Sequence, residues 1–153
     1  PMFASLANFL ERSLNDKSAA TARDQDDDTR LAVAALCVEM VRADFEEQPQ
    51  ELARASALLA ERFGLEPAAA AALLQAGRSQ ADQAASLYRF TRPLNQALDV
   101  PGKIALIEML WQVALEDGKL DKYEDALMHK LADLLYVSLA DLMLAKQRVL
   151  SEK

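Results

Sequence analysis

The chain has 153 residues and a net charge of −7, long enough for one domain with a substantial core. Apolar residues make up 52% but aromatics only 6%, with four glycines and five prolines. Ala and Leu therefore dominate, which favours helices and leaves little material for a β-sandwich. Nine acidic and two basic residues (Arg30, Arg42) lie between Asp24 and Glu51, an excess equal to that of the whole chain. No Lys/Arg cluster compensates elsewhere, so a phosphate-backbone partner is not expected and no nucleic acid is assigned. The lone Cys37 excludes an internal disulfide or a multi-cysteine metal site, and its apolar run reads as core.

In chain order, Met2–Leu14 places Phe3, Leu6, Leu10 and Leu14 near helical spacing, with Phe9 beside them. With only Arg12 among its basic residues up to that point, this segment is expected to pack on protein rather than on a membrane. Asn15–Asp28 reads as a flexible acidic linker, so residues 1–28 form an N-terminal helix plus linker and 29–153 one helical domain. Arg30–Ala43 is apolar on more than one face and reads as a central helix. Gln48-Pro49 restarts the chain, with Pro in the first turn. That helix turns Leu52, Ala55, Leu58, Leu59 and Phe63 inward and stops at Gly64.

Glu66-Pro67 opens a helix expected to end at Gly77. Ser79-Gln80-Ala81-Asp82 has capping-box form and starts a bridging helix, 79–98, with a kink or break near Thr91–Arg92 caused by Pro93. Asp99–Gly102 is the midpoint boundary. Ile104, Ile107, Leu110, Trp111 and Ala114 form one stripe after it, and Leu127, Leu131, Leu134 and Leu135 the next. Trp111 reads as core between halves, or as an exposed anchor. A last capped helix from Ser138 points Leu139, Leu142, Met143, Val149 and Leu150 inward.

A shift of 73 positions superposes Leu36–Glu51 on Met109–Glu124, and dropping one residue then aligns Gly64–Leu74 with Tyr136–Lys146. The fold class that follows is all-α: a compact bundle of about seven helices from two pseudo-symmetric helix–acidic turn–helix units. The halves run about 29–77 and 101–150, and they must bury their stripes against each other around a pseudo-twofold axis.

Val113-Ala114-Leu115-Glu116-Asp117-Gly118-Lys119-Leu120-Asp121-Lys122-Tyr123-Glu124 resembles the helix-ending A-x-x-D-G-x-[IL]-x-x-x-E signature of the tellurite-resistance TerB family and the related N-terminal domain of DjlA-type co-chaperones. Val41–Asp44 followed by Glu51 is a weaker copy, with Phe45 in place of Gly and Pro49 in the turn. The resemblance covers roughly Thr29 to Val149. It implies a fold of some seven helices with no established catalytic activity, and a proposed stress-related or divalent-cation role.

The acidic turns admit two readings. In one, Asp117, Asp121 and Glu124, faced by Asp44, Glu47 and Glu51, give oxygens to Ca²⁺ or Mg²⁺. An EF-hand is excluded, because its first and third positions would be Val113 and Leu115. In the other, Asp117-Gly118 ends a helix, and Asp121 with Glu124 caps the next, as Gln48 with Glu51 does in the first turn. A lone His129 does not make a zinc centre, and no nucleophile–base pair, phosphate loop or dinucleotide fingerprint is present. The chain is expected to be non-enzymatic and cytoplasmic, without a transmembrane segment or leader pattern. An interaction module meeting a basic protein surface leads, a cation sensor follows, and a metal-assisted hydrolase comes last. Ala-rich faces such as Ala68–Ala72 allow packing within one chain or as a homo-oligomer.

Overall fold

A computed structural model describes residues 26–152, which form seven helices and no strand. The segment Met2–Leu14 and most of the expected linker lie outside the described residues. Asp26–Asp28, read as linker, are already helical and begin α1, residues 26–41. The others are α2 (Pro49–Phe63), α3 (Pro67–Gln83), α4 (Tyr88–Ala97), α5 (Val100–Ala114), α6 (Lys122–Leu134) and α7 (Leu139–Ser151).

The core is built on α1 and α5. Every residue from Ala32 to Val38 is buried, together with Met40 and Val41, so α1 is enclosed on all sides as its apolar sequence requires. In α5 the buried set includes Leu106, Ile107, Leu110, Trp111 and Ala114. The α2–α3 pair adjoins this centre, with α2 also packing on α5. The α6–α7 pair covers α5, and α4 reaches α6. Trp111 is buried and donates from Nε1 to the Leu142 carbonyl at 3.0 Å. That bond ties α5 to α7, while the ring itself lies in the one core cluster that residues of both halves share.

The helix ends repeat as the shift predicts. The amide of Phe45 bonds the Arg42 carbonyl (2.9 Å) as that of Gly118 bonds Leu115 (3.0 Å). After the second helix of each half, Leu65 bonds Ala60 (2.9 Å) and Val137 bonds Ala132 (2.8 Å), the six-to-one bond of a Schellman motif. Among the described residues, those with positive φ are Phe45 and Gly118 at one turn, and Gly64 and Tyr136 at the other.

Three expectations are corrected. Gly77 does not end α3; the helix continues to Gln83. A Cβ at Gly77 would lie 2.7 Å from the carbonyl carbon of Ala34, so the glycine serves close approach of α3 to α1 and not chain reversal. Ser79 and Asp82 consequently lie in the last turns of α3 and open no helix. Instead of one bridging helix 79–98, the chain breaks at residues 84–87 and restarts as α4, with Pro93 inside it. The break falls upstream of Thr91–Arg92 because α3 stays packed through Gly77 and Ala81, while α4 must be re-aimed to bury Phe90, Thr91 and Leu94. Pro93 then removes a single helical bond in a short helix.

The third correction concerns α7. Its buried face is Leu142, Ala145 and Val149, whereas Leu139, Met143 and Leu150 point outward. Apolar residues occupy two sides of this helix, and only its packing on α5 and α6 selects which one is covered. Ser138 does cap α7, its hydroxyl accepting from the Asp141 amide at 3.1 Å.

Candidate metal centre

Each acidic turn starts where a central helix ends. Asp44 Oδ1 accepts from the Glu46 amide and Asp117 Oδ1 from the Lys119 amide, both at 3.0 Å. These matched Asx turns carry the chain through the left-handed residue that follows each aspartate. Phe45 (φ 67°) does what Gly118 (φ 79°) does. The first turn therefore keeps the backbone of the second despite losing its glycine. Phe45 and Tyr123 meet edge to face with ring centroids 5.5 Å apart, so the first turn touches the start of α6. Sequence reasoning missed this contact; its one signal is an aromatic residue standing where the repeat calls for glycine.

One turn of chain further on, Glu51 in α2 and Glu124 in α6 occupy equivalent positions and are buried, at 2% and 3% exposure. In each, Oε2 has no hydrogen-bond partner among the protein atoms. Burial of an unpaired carboxylate is costly, so both groups favour the protonated form. Glu51 is pushed up to about 8, first by burial, then by the nearby charges of Glu124, Asp44 and Asp117, and by a side-chain hydrogen bond with Glu124. Glu124 is pushed up to about 7 by burial, with Asp44, Asp117 and Asp121 adding to it and the Asp121 amide opposing it. Asp44 and Asp117, which sit in different halves, thus act on the same two glutamates.

The remaining expected ligands divide. Asp121 caps α6, Oδ1 accepting from the Tyr123 amide at 2.6 Å, and Glu124 Oε1 reciprocates from the Asp121 amide at 3.2 Å. The first turn lacks the matching cap: Gln48 makes no side-chain cap bond and donates to Glu46 Oε2 instead. Glu47 is held in ion pairs. Its Oε1 accepts from Arg42 (2.9 Å) and Arg78 (2.7 Å), which hold its carboxyl below the usual range. Arg42 also pairs with Asp82 at 2.7 Å. This network pins the first turn to α3, and partners this far apart in sequence leave no local signal.

Glu51, Glu124, Asp44 and Asp117 thus form an electrostatic group at the seam between halves. Among the described residues, no three His, Cys, Asp or Glu side chains already stand close enough to hold a metal ion. Cys37 is fully buried, and burial pushes its thiol up to about 12, so it is inert core. His129 lies on the exposed flank of α6, 3.7 Å from Asp125. No described helix is long and apolar enough to cross a membrane.

Residues 30–147 match the family model described as tellurite resistance protein TerB. No curated protein and no solved structure matches the chain.

Proposed function

This chain belongs to the tellurite-resistance TerB family, and we propose that it is a non-catalytic module whose paired acidic turns take up a divalent cation. The observation that carries this reading is the pair of buried glutamates, Glu51 and Glu124, each with an unpartnered Oε2. Such oxygens are desolvated and unsatisfied, a state that a bound cation relieves. Asp44 and Asp117 flank them and would supply further hard oxygen donors. Without the ion, protons on the glutamates limit like-charge repulsion. Uptake of a cation requires losing those protons and turning the aspartates inward, which accounts for the lack of a ready-made cluster.

The reading predicts that calorimetric titration with Ca²⁺, Mg²⁺ and Mn²⁺ gives saturable binding to the wild type, with proton release. Glu51→Gln and Glu124→Gln should each weaken binding at least tenfold, while Glu47→Gln leaves it unchanged. Silence with every ion would remove the proposal.

A second reading, a module that meets a basic protein surface, is favoured by Phe45. This side chain is 85% exposed between Asp44 and Glu46, beside Tyr123. The ion pairs of Glu47 with Arg42 and Arg78 reduce the acidity of that rim. If this reading holds, binding to the partner weakens as salt rises and is lost in Asp44→Lys/Glu46→Lys. Cation affinity measured on Glu51→Gln separates the two.

A further inference from the structure

We propose that the outward apolar face of α7 is a docking site for this chain's own residues 3–14. Leu139, Met143 and Leu150 are 63%, 36% and 42% exposed. At 100° per residue they fall within about 40° of one another, a continuous stripe along the helix. Lys146 shares that side but folds its ammonium over the Trp111 ring, 5.3 Å from the centroid, leaving the stripe apolar.

The repeat shows that the fold does not require this stripe. The positions of α3 matching Leu139, Met143 and Leu150 hold Pro67, Ala71 and Arg78. The matching buried faces, by contrast, are Leu142, Ala145 and Val149 in α7 and Ala70, Leu73 and Gly77 in α3, of which Leu73 is half-buried. At these three positions large apolar side chains stand outward in α7 only, and covering them would remove that apolar surface from water.

The occupant is argued from the chain itself. Phe3, Leu6, Leu10 and Leu14 recur at helical spacing and have no assigned place in the described domain. Phe3 to Leu14 and Leu139 to Leu150 are the same number of residues apart, so two helical stripes there match at roughly 16 Å. Residues 15–25 extend to roughly 36–40 Å, the length of chain available to carry the segment from the start of α1 towards α7. A segment tethered by a short flexible linker that spans the distance binds at an effective concentration of about millimolar. This inference is independent of the cation reading, since none of the acidic-turn residues takes part.

The test uses the full chain with pairs of introduced cysteines. Cys37 is buried and unreactive, so it does not interfere. Leu10→Cys/Met143→Cys, oxidised with glutathione disulfide in dilute solution, should form an intramolecular disulfide at least tenfold faster than Leu10→Cys/Ala69→Cys, whose second cysteine lies on exposed α3. Adding Leu139→Asp and Leu150→Asp should cut the fast rate at least fivefold, with circular dichroism showing the fold retained. Equal rates for the two pairs would overturn the proposal. Faster closure at Ala69 would place the segment in the groove that Arg30, Leu31, Leu65 and Leu73 line with Ala69, and disulfide-linked dimers as the main product would make a second copy the occupant. Either result overturns it too.

Discussion

Phe45 and Gly118 hold the same backbone conformation in the two halves, and so do Gly64 and Tyr136. Each half thus has one glycine and one aromatic residue at its two left-handed positions, in opposite order. For a residue with a Cβ that conformation costs roughly 1–2 kcal/mol. In both halves the aromatic ring has a neighbour that offsets part of this. Phe45 packs on Tyr123, and Lys103 lies over the Tyr136 ring at 5.7 Å. The comparison teaches that the duplication preserves conformations rather than residues, which is why few identities survive between halves that end their helices alike.

The sharpest way to break the equivalence of the halves is at Gly77 and its counterpart Val149. Gly77→Val should destabilise the protein by about 3 kcal/mol or more, because the new side chain meets the backbone of Ala34 and Ala35. Chemical denaturation measures this, and a loss below about 1 kcal/mol would show that α3 can shift away from α1.

The next effect is of pH. Glu51 and Glu124 have folded-state values of about 8 and about 7 against an ordinary 4.5. The folded state holds these protons more tightly than the unfolded chain does. Their stabilising contribution is complete below about pH 4.5 and is lost as pH rises through 7 and 8. Other titrations being equal, the thermal midpoint of the ion-free protein should fall by several degrees between about pH 5 and about pH 8.5. Glu51→Gln should flatten this fall more than Glu124→Gln, because the Glu51 value is raised further. A saturating divalent cation should restore the midpoint at the alkaline end. An unchanged midpoint across the range in calorimetric scans would contradict the burial-driven shifts.

A smaller contrast separates the left-handed residues. Gly118→Ala should cost about 1 kcal/mol, whereas Phe45→Gly should be neutral or stabilise by up to about 1 kcal/mol, since strain is relieved and one ring contact is lost. Loss of stability in Phe45→Gly would mean that the Phe45–Tyr123 contact outweighs the strain. Smallest is the difference between caps. Asp121→Ala should cost about 1 kcal/mol, and Gln48→Ala should stay within about 0.5 kcal/mol, because only the second turn has its reciprocal cap.

Much of the molecule was legible beforehand because its signals are local. The central helix α1, the restart at Pro49, the stop at Gly64 and the caps at Asp121 and Ser138 follow from apolar periodicity and from side chains that bond amides two or three residues away. Gly77 was misread because a helix-ending glycine and a helix-crossing glycine look alike until the second helix is in place. The candidate site was half legible. Asp44, Glu51, Asp117 and Glu124 could be named from the repeat, whereas the ion pairs of Glu47 with Arg42 and Arg78 could not.

By itself, then, the sequence determined the helical class, the duplication, the family and the positions of the acidic turns, all set by neighbours along the chain. Packing decided the rest. It chose which apolar side of α7 is covered, moved the break from Pro93 to residues 84–87, and drew Glu47 to Arg42 and Arg78. It also buried Glu51 and Glu124 at the seam between halves. Burial and long-range charge depend on what arrives from the other half of the molecule, and no local spacing encodes that.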